Sequence, residues 1–210
     1  MKLYMFPVAP NPTRVRLFLA EKAAAGTEIP VEQVVVNLRE GEHRTAEHRA
    51  RSPMGRLPVL ELDDGRTFSE SLAIVEYLEE RWPDPPLVGA DPEERLAIRA
   101  LERIAEFHVL HPIARRIHAT DSPVGRPKNP AVAAYYADML PEGLAVLDDA
   151  LADGRPFLAG ERPSIADFTL AAAFQFGRAF DLAGYEDRPH LVAWDARFRE
   201  RPAAEGVLVL

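Results

Sequence analysis

Apolar and polar positions alternate over residues 2–6 (KLYMF) as in a strand, and from Asn11 the period lengthens to that of a helix. Asn11-Pro12 offers a capping side chain and a first-turn proline, Val15, Phe18 and Leu19 form the stripe to be buried, and Gly26 ends the run. Residues 31–37 (VEQVVVN) are rich in β-branched side chains and predict a second strand. Residues 38–56 are too charged for a core and have room for one short helix. Residues 58–62 then predict a strand, Asp64-Gly65 a hairpin turn and residues 66–68 a short return. A helix follows in SESLAIVEYLEERW, with Leu72, Val75, Tyr77 and Leu78 turned inward and Ser69 as its cap. The predicted order is β-α-β-α-β-β-α.

Residues 83–91 are proline-rich, lack apolar periodicity and read as a linker. Beyond them every periodic segment is helical. Helices are expected to start at Asp91-Pro92, Asn129-Pro130 and Ser164, and a last one (HLVAWDARFRERP) to be stopped by Pro202. The expectation is therefore an α/β domain over residues 1–82, a linker over 83–91 and an all-α domain over 92–210.

Composition narrows the function more than the fold. The 210 residues are 47% hydrophobic and 28% charged, which suits a folded globular chain rather than a disordered one. A net charge of −8, with basic and acidic residues interleaved, argues against a nucleic-acid partner. No stretch approaches the roughly 18 apolar residues of a membrane span, and residues 2–6 are too short for the apolar part of a signal peptide, so no membrane partner and a cytoplasmic location are expected. There is no cysteine, which removes disulfides, thiolate-bound zinc and a protein thiol nucleophile.

That last absence bears on the first helix. A strand, a proline-bracketed turn and a helix N-terminus make a good place to hold an anionic sulfur, yet residues 7–13 (PVAPNPT) contain no Cys, Ser or Tyr. These residues alone leave open where a reactive group would come from. In the helical half, Ser164 and Asp167 have the spacing of a capping box and read as structural. At roughly 100° per residue, His108, His111, Arg115 and His118 share one face of a helix. Arg115 among the histidines disfavours a metal. A cationic or hydrogen-bonding wall toward an anionic or polar second substrate, a solvated stripe and an intersubunit contact all remain open.

Taken together, LYMFPVAPNPTRVRLFLAEK, NLREGEHR, GRLPVLELDDG, FSESLAIVEYLEERWP and FLAGERPSIADFTLAA make the chain resemble the cytosolic glutathione transferase superfamily, and in particular its bacterial theta- and nu-like members. The resemblance implies a thioredoxin-like N-terminal domain, an all-α C-terminal domain, a homodimer, no metal, and glutathione as the thiol-bearing cosubstrate. It implies that Leu57 pairs through its backbone with the cysteinyl residue of glutathione and that Pro58 is cis, where the residues alone allow a trans proline opening a strand. Glu70 and Ser71 match the positions that take the γ-glutamyl ammonium and carboxylate, and His43 and Arg56 match basic positions that meet the glycine carboxylate. Where theta- and delta-like members carry the activating Ser, this chain has Ala9. Asn11, matching an Asn of nu-like members, is the nearest replacement donor, and Thr13 is the other. Transfer of glutathione to an electrophile, glutathione-dependent reduction of a disulfide or peroxide, and a non-catalytic binding role are the functions the resemblance allows. Retention of Arg56, Pro58, Glu70 and Ser71 together weighs against the last.

Overall fold

Four short strands form one mixed sheet in the order β2-β1-β3-β4, where β1 is Lys2–Met5, β2 Glu32–Val35, β3 Val59–Glu61 and β4 Thr67–Ser69. The computed structural model describes residues 1–209. β1 runs parallel to β2 and antiparallel to β3, with Leu3 facing Leu60, and β3 runs antiparallel to β4, with Val59 facing Ser69. Alternation sends Leu3 and Leu60 into the main core with Phe18, Ile74 and Leu78, while Tyr4, Val36 and Val59 form a smaller cluster on the opposite face. Three helices complete this half: α1 (Pro10–Ala24), α2 (Ala46–Arg51) and α3 (Ser71–Arg81). The observed order is the predicted one and gives the thioredoxin-like arrangement.

Both predicted cap positions shift. α1 begins at Pro10 with Ala9 as its N-cap, so Asn11 lies inside the first turn and does not cap. Pro10 suits the first helical position, because its fixed φ fits and its missing N–H would have had no helical partner. Ser69 belongs to β4, and the residue that starts α3 is Glu70, at φ 71.

The helical half holds α4 (Pro92–Ile104), α5 (His111–Thr120), α6 (Pro130–Ala150), α7 (Ile165–Arg178), α8 (Pro189–Arg199) and α9 (Pro202–Glu205). Pro202 therefore opens a short final helix rather than only stopping α8. The capping box is present: Ser164 caps α7, and Asp167 accepts from the Ser164 N–H. Between α4 and α5 the chain does not break; residues Ala105–Leu110 widen into a π-helix. No helix is long and apolar enough to cross a membrane among the described residues.

The proline-rich connection is held by buried charge. Lys22, wholly buried in α1, donates to the carbonyls of Trp82 and Pro85 and pairs with Glu79 at 2.7 Å. The other Glu79 oxygen accepts from the N–H groups of Leu87 and Val88. Leu57-Pro58 and Asp84-Pro85 are both cis.

Candidate functional site

A cleft of about 860 Å³ opens between the C-terminal end of β1, the N-terminus of α1, the loop around α2, and helices α5 and α7. Cavities of this size take drug-sized ligands. Asn11, His43, Arg56, Leu57, His111, Arg115 and His118 all line it. Pro58, Glu70, Ser71, Thr13 and His108 do not.

Two of these exclusions correct the sequence reading. Thr13 is wholly buried, its hydroxyl lies within donating distance of the carbonyls of Pro7 (3.1 Å) and Ala9 (3.0 Å), and it accepts from Gln175 Nε2. Its single proton is used inside the fold, so Thr13 is not a donor for a bound sulfur. His108 is exposed and sits inside the π-helical stretch, which breaks the angular register assumed for an α-helix. Its backbone packs against α6 at Gly143, where a Cβ would lie 2.6 Å from the His108 carbonyl oxygen. His111, Arg115 and His118, on α5 proper, stay together on the cleft wall.

Glu70 and Ser71 lie close by through strand register. β3 and β4 pair as far as Val59 and Ser69, so Pro58 and Leu57, just before β3, lie at the same end of the pair as Glu70 and Ser71, just after β4. The Ser71 side chain is buried and makes no hydrogen bond among the described residues, at the N-terminus of an eleven-residue helix. Leu57 makes no backbone hydrogen bond either. The segment before it is tightly built. His48 Nε2 meets the Arg56 carbonyl at 3.2 Å, and the Ser52 hydroxyl accepts from the Arg56 N–H at 3.0 Å. Gly55, at φ 61, passes so close to His43 that a Cβ would lie 2.8 Å from its carbonyl oxygen.

His43 supplies a clear tautomer. Its Nε2 accepts from Arg44 Nε at 3.2 Å, which places the ring proton on Nδ1, and that buried Nδ1 has no partner. Burial first, then Arg44, lowers the His43 pKa and keeps the ring neutral near pH 7.

At the mouth of α1 the backbone donors are few. Pro10 and Pro12 have none, and the Thr13 N–H is bonded to the Ala9 carbonyl. Among the described residues, Asn11 alone of these first four positions has an N–H with no partner, and its side chain is beside it. The carboxamide oxygen accepts from Arg14 Nη2 at 2.7 Å. Arg14 is itself buried and bonded through Nη1 to Glu102 and Glu106, at 3.0 Å each. The Asn11 amide nitrogen is thereby the free end. Arg14 escaped the sequence reading, although a charged residue one position before Val15 in an otherwise apolar stripe was its signal.

The larger omission is electrostatic. Among the described residues, seven arginines line the cleft and no acidic side chain does, in a chain with a net charge of −8. They are spread from position 39 to position 178, so no local pattern displays them. Among the described residues no group of three or more His, Asp or Glu side chains could hold a metal ion.

Residues 3–86 match the family model for the glutathione S-transferase N-terminal domain, and residues 116–202 that for the C-terminal domain. The chain is 34% identical to glutathione S-transferase 2 of Saccharomyces cerevisiae, over 99% of this chain and 89% of that protein. It is 32% identical to maleylacetoacetate isomerase of Pseudomonas aeruginosa, over 86% of this chain and 85% of that protein. The crystal structure of Gtt2 from Saccharomyces cerevisiae superposes with a TM-score of 0.86 at 33% identity, covering 99% of this chain and all of that one (100%).

Proposed function

Since this chain belongs to the glutathione S-transferase family, we propose that it binds glutathione along Leu57, lowers the pKa of its thiol at Asn11, and directs the thiolate at an electrophilic carbon of a small second substrate. The γ-glutamyl end lies at Glu70 and Ser71, where the hydroxyl of the largely buried Ser71, unbonded among the described residues, and the N-terminus of α3 suit a carboxylate. The exposed Glu70 carboxylate accepts from the γ-glutamyl ammonium. The cysteinyl N–H and C=O pair with the unpaired backbone of Leu57, as an added strand pairs with a sheet edge. The glycine carboxylate takes the His43 Nδ1 proton and the Arg56 guanidinium, neither of which has a protein partner on its donor groups.

The observation that carries this reading is the orientation of Asn11. With its oxygen held by Arg14, the carboxamide presents N–H to whatever lies at the α1 N-terminus. A free thiol titrates near 8.5, and bringing it to about 6.5 needs roughly 2.7 kcal/mol in favour of the thiolate. A partly buried helix end gives up to about 2 kcal/mol. One hydrogen bond to the charged sulfur gives roughly 1.5–3 kcal/mol and closes the difference. The thiolate then forms a C–S bond with the electrophile, as a carbon–leaving-group bond breaks or as the π bond of an activated double bond opens and its electron pair takes up a proton. Completed transfer, and isomerisation through a transient adduct of the kind the name of the Pseudomonas relative suggests, share that first step.

Replacing Asn11 by Ala is expected to raise the pKa of bound glutathione by about 1–2 units, followed as thiolate absorbance against pH. An unchanged titration would remove the side chain from this role and leave the backbone N–H. Ser71→Ala is expected to weaken glutathione binding by about tenfold in titration calorimetry, because the buried site loses its hydroxyl. Calorimetry with no glutathione heat in the native protein would end the whole reading.

A further inference from the structure

The arginine wall is larger than glutathione needs. Of the arginines in the cleft, Arg44 is engaged with His43 and with the Val124 carbonyl (2.7 Å), and Arg178 with Tyr185 and Asp195. The guanidinium groups of Arg39, Arg49, Arg56, Arg115 and Arg126 make no hydrogen bond or ion pair with the described residues. Arg39, Arg49 and Arg56 belong to the N-terminal half, with Arg49 near His43, the side assigned to the glycine carboxylate. Arg115 and Arg126 come from α5 and the loop after it.

Both line the cleft and stand near His118. His118 is held down to about 4, first by burial and then by the nearby charges of Arg126 and Arg115. Its ring contacts Phe176, with centroids 6.3 Å apart, and Phe176 stands edge-on to Phe180, both on the cleft wall. His111, one turn before Arg115, has its pKa lowered by burial and by Arg115, with Glu106 acting the other way. Glu106 is itself bonded to Arg14 and Arg103, so it is not a counter-ion for Arg115. The Arg44–Val124 bond fixes the loop carrying Arg126 against the N-terminal half, which keeps that guanidinium over the cleft. The result is an aromatic floor beside two guanidiniums that have no acidic partner among the described residues.

We propose that the second substrate is a carboxylate-bearing electrophile with a flat apolar body, its carboxylate held by Arg115 and Arg126 and its body lying on Phe176 and Phe180. This rests on the glutathione reading above. Guanidinium suits a carboxylate because two parallel N–H bonds fit its two oxygens. With a halogenated aromatic acid the balance is simple. The thiolate sulfur bonds to the ring carbon, the carbon–halogen bond breaks, and halide leaves with the electron pair.

The test uses non-reacting probes, dinitrobenzoate and the neutral dinitrobenzamide, titrated by calorimetry into the full-length protein saturated with S-methylglutathione. The benzoate is expected to bind about tenfold or more tightly than the amide. In the Arg115→Ala and Arg126→Ala double variant that advantage falls to within about twofold, while the affinities for the amide and for S-methylglutathione stay as they were. Equal affinity of the two probes in the native protein would overturn the proposal, as would a double variant that weakens both probes alike or keeps the benzoate advantage. Failure of S-methylglutathione itself to bind would overturn the glutathione reading instead, and that titration is run first, on the protein alone.

Discussion

Asp167→Ala is expected to cost about 3–5 kcal/mol, a large part of the roughly 5–15 kcal/mol that holds a folded domain together. The carboxylate is wholly buried and accepts four hydrogen bonds: from the N–H of Leu158 (2.9 Å), the N–H and hydroxyl of Ser164 (2.9 and 3.0 Å) and the indole of Trp194 (3.1 Å). One side chain thus joins the N-terminus of α7, the turn before it and the centre of α8. Removal leaves the donors of three residues buried without an acceptor, and the carboxylate volume becomes a void. Burial lifts this carboxyl to about 6, with the four bonds opposing the rise, so the measurement belongs above that pH, where the group is ionised. Asn in its place keeps one oxygen but turns an NH2 toward donors, and should recover only part of the loss. Urea unfolding decides the matter: a variant within about 1 kcal/mol of the native protein would show that Asp167 does not hold the helical half together.

That residue was legible in the sequence, and the reason is instructive. A capping box is local, with both partners three residues apart, so Ser164 and Asp167 announce themselves without a fold. The same holds for the Asp64-Gly65 hairpin and for the strand-to-helix order of the first half. What the chain does not display is anything assembled across it. The α-helical register assumed for His108 fails where Ala105–Leu110 widens into a π-helix, and that stretch packs across α6 at Gly143, a residue distant in sequence. Thr13 looked available as a donor because nothing near it showed that Gln175, in α7, and two carbonyls would enclose it. The carboxamide of Asn11 has a donor end and an acceptor end, and which one faces outward depends on Arg14. The orientation of Arg14 depends in turn on two acids some ninety positions later.

Arg14 is therefore the residue whose loss should be felt both in stability and at the sulfur. It is 4% exposed, lies 3.0 Å from Glu102 and from Glu106 and 2.7 Å from Asn11, and bridges the two halves of the chain. Burial raises the Glu102 carboxyl, with Arg14 as the principal counterweight. In Arg14→Met that buried carboxylate keeps only Arg103 as a cationic partner, and the expected cost is about 3–5 kcal/mol. Adding Glu102→Leu removes the stranded charge and should restore a good part of it, since an apolar pair often replaces a buried ion pair at little cost. This folded double variant separates the two roles. Its Asn11 oxygen has lost its donor, the carboxamide is free to turn, and the pKa of bound glutathione is expected to rise by about 1 unit toward the Asn11→Ala value. A stable double variant with the native thiol titration would show that Arg14 serves the fold alone, and that Asn11 holds its orientation without help from the helical half.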